Sequence, residues 1–280
     1  MATHSHTQTP RPYGEPAGLR LLAALESAGR DPFSAEEARQ EASSLGLSRS
    51  HVHNLLNELT AAGRVTRLKK GLYAVNDSLT RQPRAHPFAI GCALVTPSAI
   101  SHWSALQHWG LTEQIPAAVT LSSPKRTFPP AAPQESGRRA WTVAGTRYEV
   151  VSIAKSRFFG ATEVWLDERN RVSIFDRERT ILDAFQHFHV FGSISAGLQV
   201  LEEHADELDL ERLASYAVQM RVAAVVKRLG WALARLSAPD DVLGPLRDYP
   251  LGGDVPLDPS RPPHGRHDPE WHIIENSGAR

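Results

Sequence analysis

Serine, histidine and acidic side chains that could support nucleophilic catalysis cluster at two places in the sequence. They are Ser98, Ser101 and His102, followed further along the chain by Asp176, Glu178 and Asp183. A serine hydrolase requires such groups to converge at a strained nucleophile turn beside an oxyanion hole. The sequence has no G-x-S-x-G motif, and this argues against a hydrolase.

Histidines also occur in close pairs, but a pair does not make a zinc site. The pairs are His51/His53, His187/His189 and His264/His267. A zinc site takes at least three protein ligands. The single cysteine, Cys92, excludes a cysteine cluster and an internal disulfide framework. The sequence also has no Walker-type phosphate loop, so we expect neither a metal nor another cofactor.

A metal-dependent nuclease would need an acidic residue and a lysine side by side. Glu149 and Lys155 lie on and just after a predicted strand, but their spacing does not bring them together. The residue patterns therefore predict that the protein is not an enzyme.

Basic side chains are concentrated around residues 64–75, which read RVTRLKKGLYAV. The chain has 31 basic and 31 acidic residues, yet residues 44–84 contain 7 basic and 2 acidic ones, a net charge of +5. Residues 91–280 carry a net charge of −3. The chain is neutral on average but contains a local basic island, which is typical of a surface that binds a polyanion.

The helix predicted just before this island has one apolar face and one polar face. Val52, Leu55, Leu56 and Leu59 recur at helical spacing and form the apolar face. The other side carries residues suited to base edges in a DNA major groove, where arginine pairs with guanine and asparagine with adenine. We expect this base-reading set to be Arg49, His53, Asn54 and Asn57.

Two further sets of residues are expected to contact the DNA backbone. A helix N-terminus attracts phosphate, and Ser48 and Ser50 lie where they would assist it. Cations at a hairpin tip hold phosphates and so position the protein on the duplex. In this chain those cations are Arg64, Arg67, Lys69 and Lys70.

The elements that must position these residues form a winged helix-turn-helix. Helices are predicted over residues 16–28, 35–43 and 49–62, and Ser34 with Glu37 matches a capping box. Strands over 64–68 and 72–76 flank a tight turn in which Gly71 is expected to take a positive φ. We expect a disordered tail over 1–14, the DNA-binding domain over 15–78 and a linker over 79–87.

Residues 88–276 are expected to form a second domain of mixed α and β structure. Residues 97–109 read as a helix, and β-rich runs follow near 119–123, 138–143, 147–154, 162–167 and 171–176. Short connections predict a mainly antiparallel sheet. Helical stretches follow near 177–190, 193–205, 209–219 and 221–236.

The last 44 residues contain 8 prolines and 5 glycines, too many for regular structure. We expect this segment to be anchored to the domain by Leu251, Val255, Trp271 and Ile273. The predicted fold class is α+β, with a C-terminal helical part.

The sequence contains neither a signal-peptide pattern nor an apolar run of the roughly 20 residues needed to cross a bilayer. A cytoplasmic protein without a membrane partner is therefore expected.

Four segments together resemble the AbiEi-type antitoxins, the transcriptional-regulator halves of bacterial type IV toxin–antitoxin operons. The segments are GRVTRLKKGLYAV, SAISHWSALQHWGLTEQIP, FDRERTILDAF and VPLDPSRPPHGRHDPEW, in that order. The resemblance covers roughly residues 15–275. Its most specific parts are ISHWSAL with GLTEQIP, and DRERTILD. The residues that match the family motifs are His102, Trp103, Arg179, Asp183, Asp258 and Trp271.

The resemblance implies a protein with two tasks and no enzymatic activity. Its winged helix would bind inverted repeats in the operator upstream of its own operon and repress transcription. Its second domain would counteract a nucleotidyltransferase-type toxin. In type IV systems the antitoxin and the toxin generally form no stable complex. The resemblance therefore implies that the toxin is a functional partner and that direct binding is not required.

Three other functions stay open on the sequence. The first is a stand-alone winged-helix regulator whose second domain senses a small molecule, which would require a large apolar pocket with convergent polar groups. The second is a nuclease tethered to DNA by the winged helix. The third is a protein-docking scaffold, since winged helices also bind proteins.

Overall fold

The structure, a computed structural model, describes residues 16–125, 139–250 and 252–276. The expected disordered tail over 1–14, most of the proline-rich stretch 124–138 and the expected anchor Leu251 lie outside these ranges. The chain divides into two units, residues 1–85 and residues 86–280.

The first unit has three helices and a three-stranded sheet. The helices are α1 (Ala17–Ser27), α2 (Ala35–Ser44) and α3 (Arg49–Ala61), and the strands are β1 (Phe33–Ser34), β2 (Val65–Lys69) and β3 (Leu72–Val75). The strand order is β1-β3-β2 with antiparallel pairing. This is the winged helix-turn-helix that the sequence predicts, with β1 as an additional strand.

Local signals explain why this part of the sequence folds as expected. The Ser34 hydroxyl accepts a hydrogen bond from the Glu37 amide, and the Glu37 carboxylate accepts one from the Ser34 amide, which confirms the capping box. Gly71 has φ +75° at the hairpin turn, as expected. The apolar face of α3 packs on Leu21, Leu25 and Phe33 in one buried cluster.

The second unit is built on a mixed six-stranded sheet. Its strands are β4 (Ala99–Ile100), β5 (Val119–Ser123), β6 (Arg139–Val143), β7 (Thr146–Ser152), β8 (Ala161–Trp165) and β9 (Arg171–Phe175). The order is β6-β7-β5-β4-β9-β8. The pairs β6–β7, β5–β4 and β9–β8 are antiparallel, whereas β7–β5 and β4–β9 are parallel. The sheet is therefore mainly antiparallel, and the α+β fold class is confirmed.

Helices flank and follow this sheet. They are α4 (Pro87–Leu94), α5 (His102–His108), α6 (Arg177–Gln186), α7 (Ile194–His204), α8 (Leu210–Met220), α9 (Ala223–Arg235) and α10 (Asp240–Arg247). Helix α6 lies in the core of this unit: Ile181, Leu182 and Phe185 are fully buried. The four last helices confirm the expected C-terminal helical part.

Two sequence expectations about the second unit are wrong, and one helix was not predicted. Residues 97–109 are not one helix, because Ala99 and Ile100 pair with β5 and the helix begins at His102. Helix α4 is not predicted from the sequence, since its uninterrupted apolar run lacks helical periodicity. The last 44 residues do contain regular structure: helix α10 and the strands β10 (Val255–Pro256), β11 (Arg266–Asp268) and β12 (Ile273–Glu275).

The C-terminal strands form a small separate sheet with the order β10-β12-β11. Strand β10 pairs with β12 in parallel, and β11 pairs with β12 in antiparallel register. Trp271 and Ile273 are buried, as expected of anchors, and Ile273 is itself part of β12. Short strands can form in a proline-rich segment because only a few backbone N–H and C=O groups then have to pair with a neighbouring strand.

Candidate functional site

The polar face of α3 is exposed as a continuous surface of the first unit. Val52, Leu55, Leu56 and Leu59 point into the core, and helical geometry turns the remaining positions outward. The ten residues expected to contact DNA are all exposed: Ser48, Arg49, Ser50, His53, Asn54, Asn57, Arg64, Arg67, Lys69 and Lys70. None of them is needed to fill the hydrophobic core.

Contacts on α3 order part of this surface. The Asn57 amide nitrogen lies 3.2 Å from His53 Nδ1, one helical turn away. Arg49 lies 3.5 Å from the carboxylate of Glu36 on α2, and both side chains are largely exposed. Ser48 occupies the position before the helix, but its hydroxyl contacts the Ser50 hydroxyl at 3.2 Å instead of capping the helix. The first turn of α3 therefore has no side-chain cap, although the His51 amide donates to the Ser48 carbonyl at 3.0 Å. An uncapped helix start can receive an anion.

The hairpin of β2 and β3 carries the cations of the wing. A bulge between Arg67 and Lys69 interrupts the ladder just before the turn at Lys70 and Gly71. Bulges increase the local twist of a strand and redirect its side chains. The unit thus presents hydrogen-bonding groups on a helix and positive charges on an adjoining hairpin.

The family-signature residues in the second unit are structural rather than surface groups. His102, Arg179, Asp183, Asp258 and Trp271 are at most 1% exposed, and Trp103 is partly buried. Arg179 and Asp183 are fully buried, so they do not form a partner-facing edge in this structure. Arg179 and Asp183 lie on α6, whereas the Trp271 ring packs against Gly230 of α9.

Arg179 and Asp183 form a buried ion pair, one turn apart on α6. The Arg179 guanidinium also lies 4.2 Å from the centre of the Phe175 ring and donates a hydrogen bond to the Arg157 carbonyl at 3.1 Å. The cation is therefore held by a carboxylate, a ring face and a carbonyl, which replace the water that burial removes.

A line of buried polar groups continues from this ion pair to the central sheet. His187 Nδ1 is 3.7 Å from Asp183 Oδ1 and 3.2 Å from His102 Nε2. His102 Nδ1 is 2.8 Å from the Ser101 hydroxyl, which lies 3.0 Å from the Ser122 hydroxyl on β5. Burial lowers the pKa of His187, and the Asp183 carboxylate partly opposes that effect.

The serine–histidine contact that could have supported hydrolysis lies inside this network. Ser101 and His102 are both fully buried, so a solvent-borne substrate has no access to them. The sequence pattern does not indicate the network, because Ser101, His187 and Asp183 meet only after α5 and α6 pack together. The positive φ of His102, +53°, marks the abrupt start of α5.

A second histidine group lies at the surface of the C-terminal sheet. His267 Nε2 and His272 Nδ1 lie 3.0 Å and 3.2 Å from the same oxygen of Asp254. Hydrogen bonds from these two imidazoles hold the pKa of Asp254 below its usual range. In the sequence His267 is paired with His264, but folding gives it His272 and Asp254 as neighbours.

An open groove of about 700 Å³ lies elsewhere in the second unit. His86, Phe88, His108, Arg147 and Trp165 are among its lining residues. Burial lowers the pKa of both His86 and His108. The groove combines aromatic faces with polar groups, although Arg147 is already 3.3 Å from Glu149.

Comparison with known proteins supports the resemblance in the first unit and the fold of the whole. Residues 20–76 match the family model described as "Transcriptional regulator, AbiEi antitoxin", so the resemblance is confirmed for this stretch. The crystal structure of the RV2827C protein from Mycobacterium tuberculosis is similar, with a TM-score of 0.61 and 15% sequence identity over 94% of this chain and 92% of that one. At this identity the likeness concerns the fold.

Curated proteins give no match to the chain. The described part of the chain has no helix that is both long and apolar enough to cross a membrane.

Proposed function

We propose that the protein is an autoregulatory antitoxin whose first unit binds operator DNA upstream of its own operon. The family match over residues 20–76 is that of a transcriptional regulator and antitoxin. The observation that carries the proposal is the exposed face of α3 beside a cationic hairpin. Both lie within the matched residues, and neither is required by the core.

Helix α3 enters the major groove in this proposal, and the wing holds the backbone. Asn54 and Asn57 read adenines, Arg49 reads a guanine after leaving Glu36, and His53 supports Asn57 through their contact. The uncapped start of α3, with Ser48 and Ser50, receives a phosphate. Arg64, Arg67, Lys69 and Lys70 supply affinity without sequence preference.

Replacing Lys69 and Lys70 by alanine tests the role of the wing. The double variant should bind all duplexes more weakly, and the slope of log affinity against log salt should fall by about 0.9 for each phosphate that the variant no longer neutralises. Fluorescence anisotropy over a salt series measures both quantities. Lys155→Ala, an exposed lysine of the second unit, is the matched control and should leave the slope unchanged. An unchanged slope in the double variant would refute the assignment.

The second unit, in this proposal, counteracts a nucleotidyltransferase-type toxin of a type IV system without forming a stable complex with it. Support comes from the resemblance in segments 98–116, 175–185 and 255–271. Co-expression of the full chain with the product of the neighbouring gene should restore growth. Rescue that persists in the Lys69→Ala/Lys70→Ala variant would separate this task from DNA binding. Failure of the wild-type chain to rescue would contradict the antitoxin role.

A small-molecule-sensing regulator is a second candidate because the open groove near Phe88 and Trp165 combines aromatic and polar lining. A ligand of this groove would raise the unfolding temperature of the wild type but not of Trp165→Ala, and would change DNA affinity. A metabolite screen by thermal shift, repeated on that variant, distinguishes this function from the antitoxin.

A further inference from the structure

Asp254, His267 and His272 form a three-ligand cluster that the proposed function does not use. One ligand atom from each residue lies within 4.8 Å of the others. The three side chains are 44%, 47% and 40% exposed, so solvent reaches the cluster. Two imidazole nitrogens and one carboxylate oxygen are a ligand set that zinc commonly takes.

The backbone holds all three residues in fixed positions. His267 lies in β11, where it pairs with Ile274 of β12, and His272 immediately precedes β12. The amide after Asp254, that of Val255, donates to the His272 carbonyl at 3.0 Å. Beneath the segment, the buried Lys227 ammonium donates to the Gly252 carbonyl at 2.9 Å and also bonds to Gly253. The cluster is therefore preorganised by strand pairing and by this lysine.

His272 adopts a strained backbone conformation that aims its ring at Asp254. Its φ is +53°, in the left-handed region that non-glycine residues seldom occupy. The two flanking residues, Trp271 and Ile273, are buried and fix the turn on both sides. Backbone strain is often found at binding sites, and here it occurs at a residue whose ring lies close to two other possible ligand atoms.

The spacing of each imidazole nitrogen from the Asp254 oxygen fits a tetrahedral ion. Zinc with ligands at about 2.0–2.1 Å requires neighbouring ligand atoms to lie about 3.3 Å apart. The two distances to Asp254 Oδ1, 3.0 Å and 3.2 Å, are close to this value. We propose that Asp254, His267 and His272 bind one divalent transition-metal ion, with zinc as the best fit and water as the fourth ligand.

The buried group of His102, Asp183 and His187 also gathers three ligand types, but its charges oppose a metal. Arg179 already neutralises Asp183 there. A dication in that core would add uncompensated positive charge to a dry environment. The exposed cluster has an anionic oxygen that contacts two imidazoles and an open side toward solvent, so we assign the metal to it.

Metal titration of the untagged full chain tests the proposal. The experiment uses a His4→Ala/His6→Ala background, so that the two histidines near the start of the sequence do not contribute. Zinc should bind in equimolar amount, and cobalt(II) should give the intense visible absorption of a tetrahedral complex. Zinc should also raise the unfolding temperature, because the folded chain alone presents the site.

Variants locate the ion. His267→Ala and His272→Ala should each lower the affinity at least as much as loss of an outer-shell partner does, which is about 10–100-fold. His264→Ala, an exposed histidine of the same segment, is the matched control and should bind normally. His267→Gln, which can still hydrogen-bond to Asp254, replaces His267→Ala if the latter unfolds. The absence of saturable binding in the wild type, or equal affinity in all variants, would overturn the proposal.

Discussion

At the scale of single residues, the second unit depends on a charge pair that it buries completely. Arg179 and Asp183 are both fully buried on adjacent turns of α6, and the cation contacts Phe175 and Phe159 as well. Removing one member of such a pair leaves an uncompensated charge in a dry core, which costs far more than the pair itself contributes. These two motif residues therefore act through the stability of the fold.

Asp183→Asn should lower the free energy of unfolding of the second unit by about 3–5 kcal/mol. Denaturant titration followed by tryptophan fluorescence measures this, because all six tryptophans lie in residues 86–280. Asp240→Asn, at the exposed pair with Arg247, is the control and should change stability little. Equal effects of the two substitutions would contradict a structural role for the buried pair.

His187 should make this unit sensitive to acid. Burial lowers the pKa of His187 in the folded chain. In the unfolded chain this histidine has its ordinary pKa of about 6.5. Below that pH the unfolded chain therefore binds a proton that the folded chain does not bind. Stability should therefore be constant above this pH and fall as the pH drops through it. In His187→Asn the decline between about pH 7 and pH 5 should be shallower.

The same fluorescence titration repeated across this pH range measures the effect. The difference between the variant and the wild type at pH 8, where the imidazole is neutral in both states, gives the packing cost alone. A decline in His187→Asn as steep as that of the wild type would rule out His187 as the source.

At the scale of elements, α9 has a glycine where the buried Trp271 crosses it. A Cβ atom at Gly230 would lie well inside the van der Waals radius of the Trp271 ring. Trp271 in turn anchors the turn between β11 and β12. The glycine thus allows a large aromatic side chain to join the C-terminal sheet to the helices.

Gly230→Ala should destabilise the second unit by about 1–3 kcal/mol, the usual range for overpacking, or more if Trp271 is expelled. Gly244→Ala in α10 is the matched control, because a Cβ atom at that position would have no neighbour within 4 Å among the described residues, and it should cost much less. Denaturant titration reports both. Similar costs for the two substitutions would contradict the packing explanation.

Local signals decide which elements could be predicted from the sequence. The capping box at Ser34, the periodic face of α3 and the turn at Gly71 act within a few residues, so the winged helix was predictable almost to its boundaries. Helix α4 and strand β4 depend on partners distant in the chain, and no local pattern indicates them. Parallel pairing of β5 with β7 likewise depends on β6 folding back first.

At the scale of the whole molecule, the two units differ in what their conspicuous residues do. In the first unit the candidate site consists of exposed side chains on α3 and the wing. The exposure of the α3 residues was predictable because helical periodicity separates core from surface. In the second unit the motif residues are buried, and both histidine clusters assemble from distant segments. Sequence spacing gives no information about such convergence, which is why neither His272 nor His187 could be assigned its partners.

The central claim is that α3 supplies sequence discrimination while the wing supplies affinity. The most direct measurement compares the affinity of the full chain for the duplex upstream of its gene with that for a scrambled duplex of equal length, in wild type and in Asn54→Ala/Asn57→Ala. Loss of the two amides should remove about 1–3 kcal/mol of discrimination for each base pair that they read, with binding to the scrambled duplex unchanged. If the variant retains the wild-type ratio of affinities, the assignment of base reading to α3 is wrong.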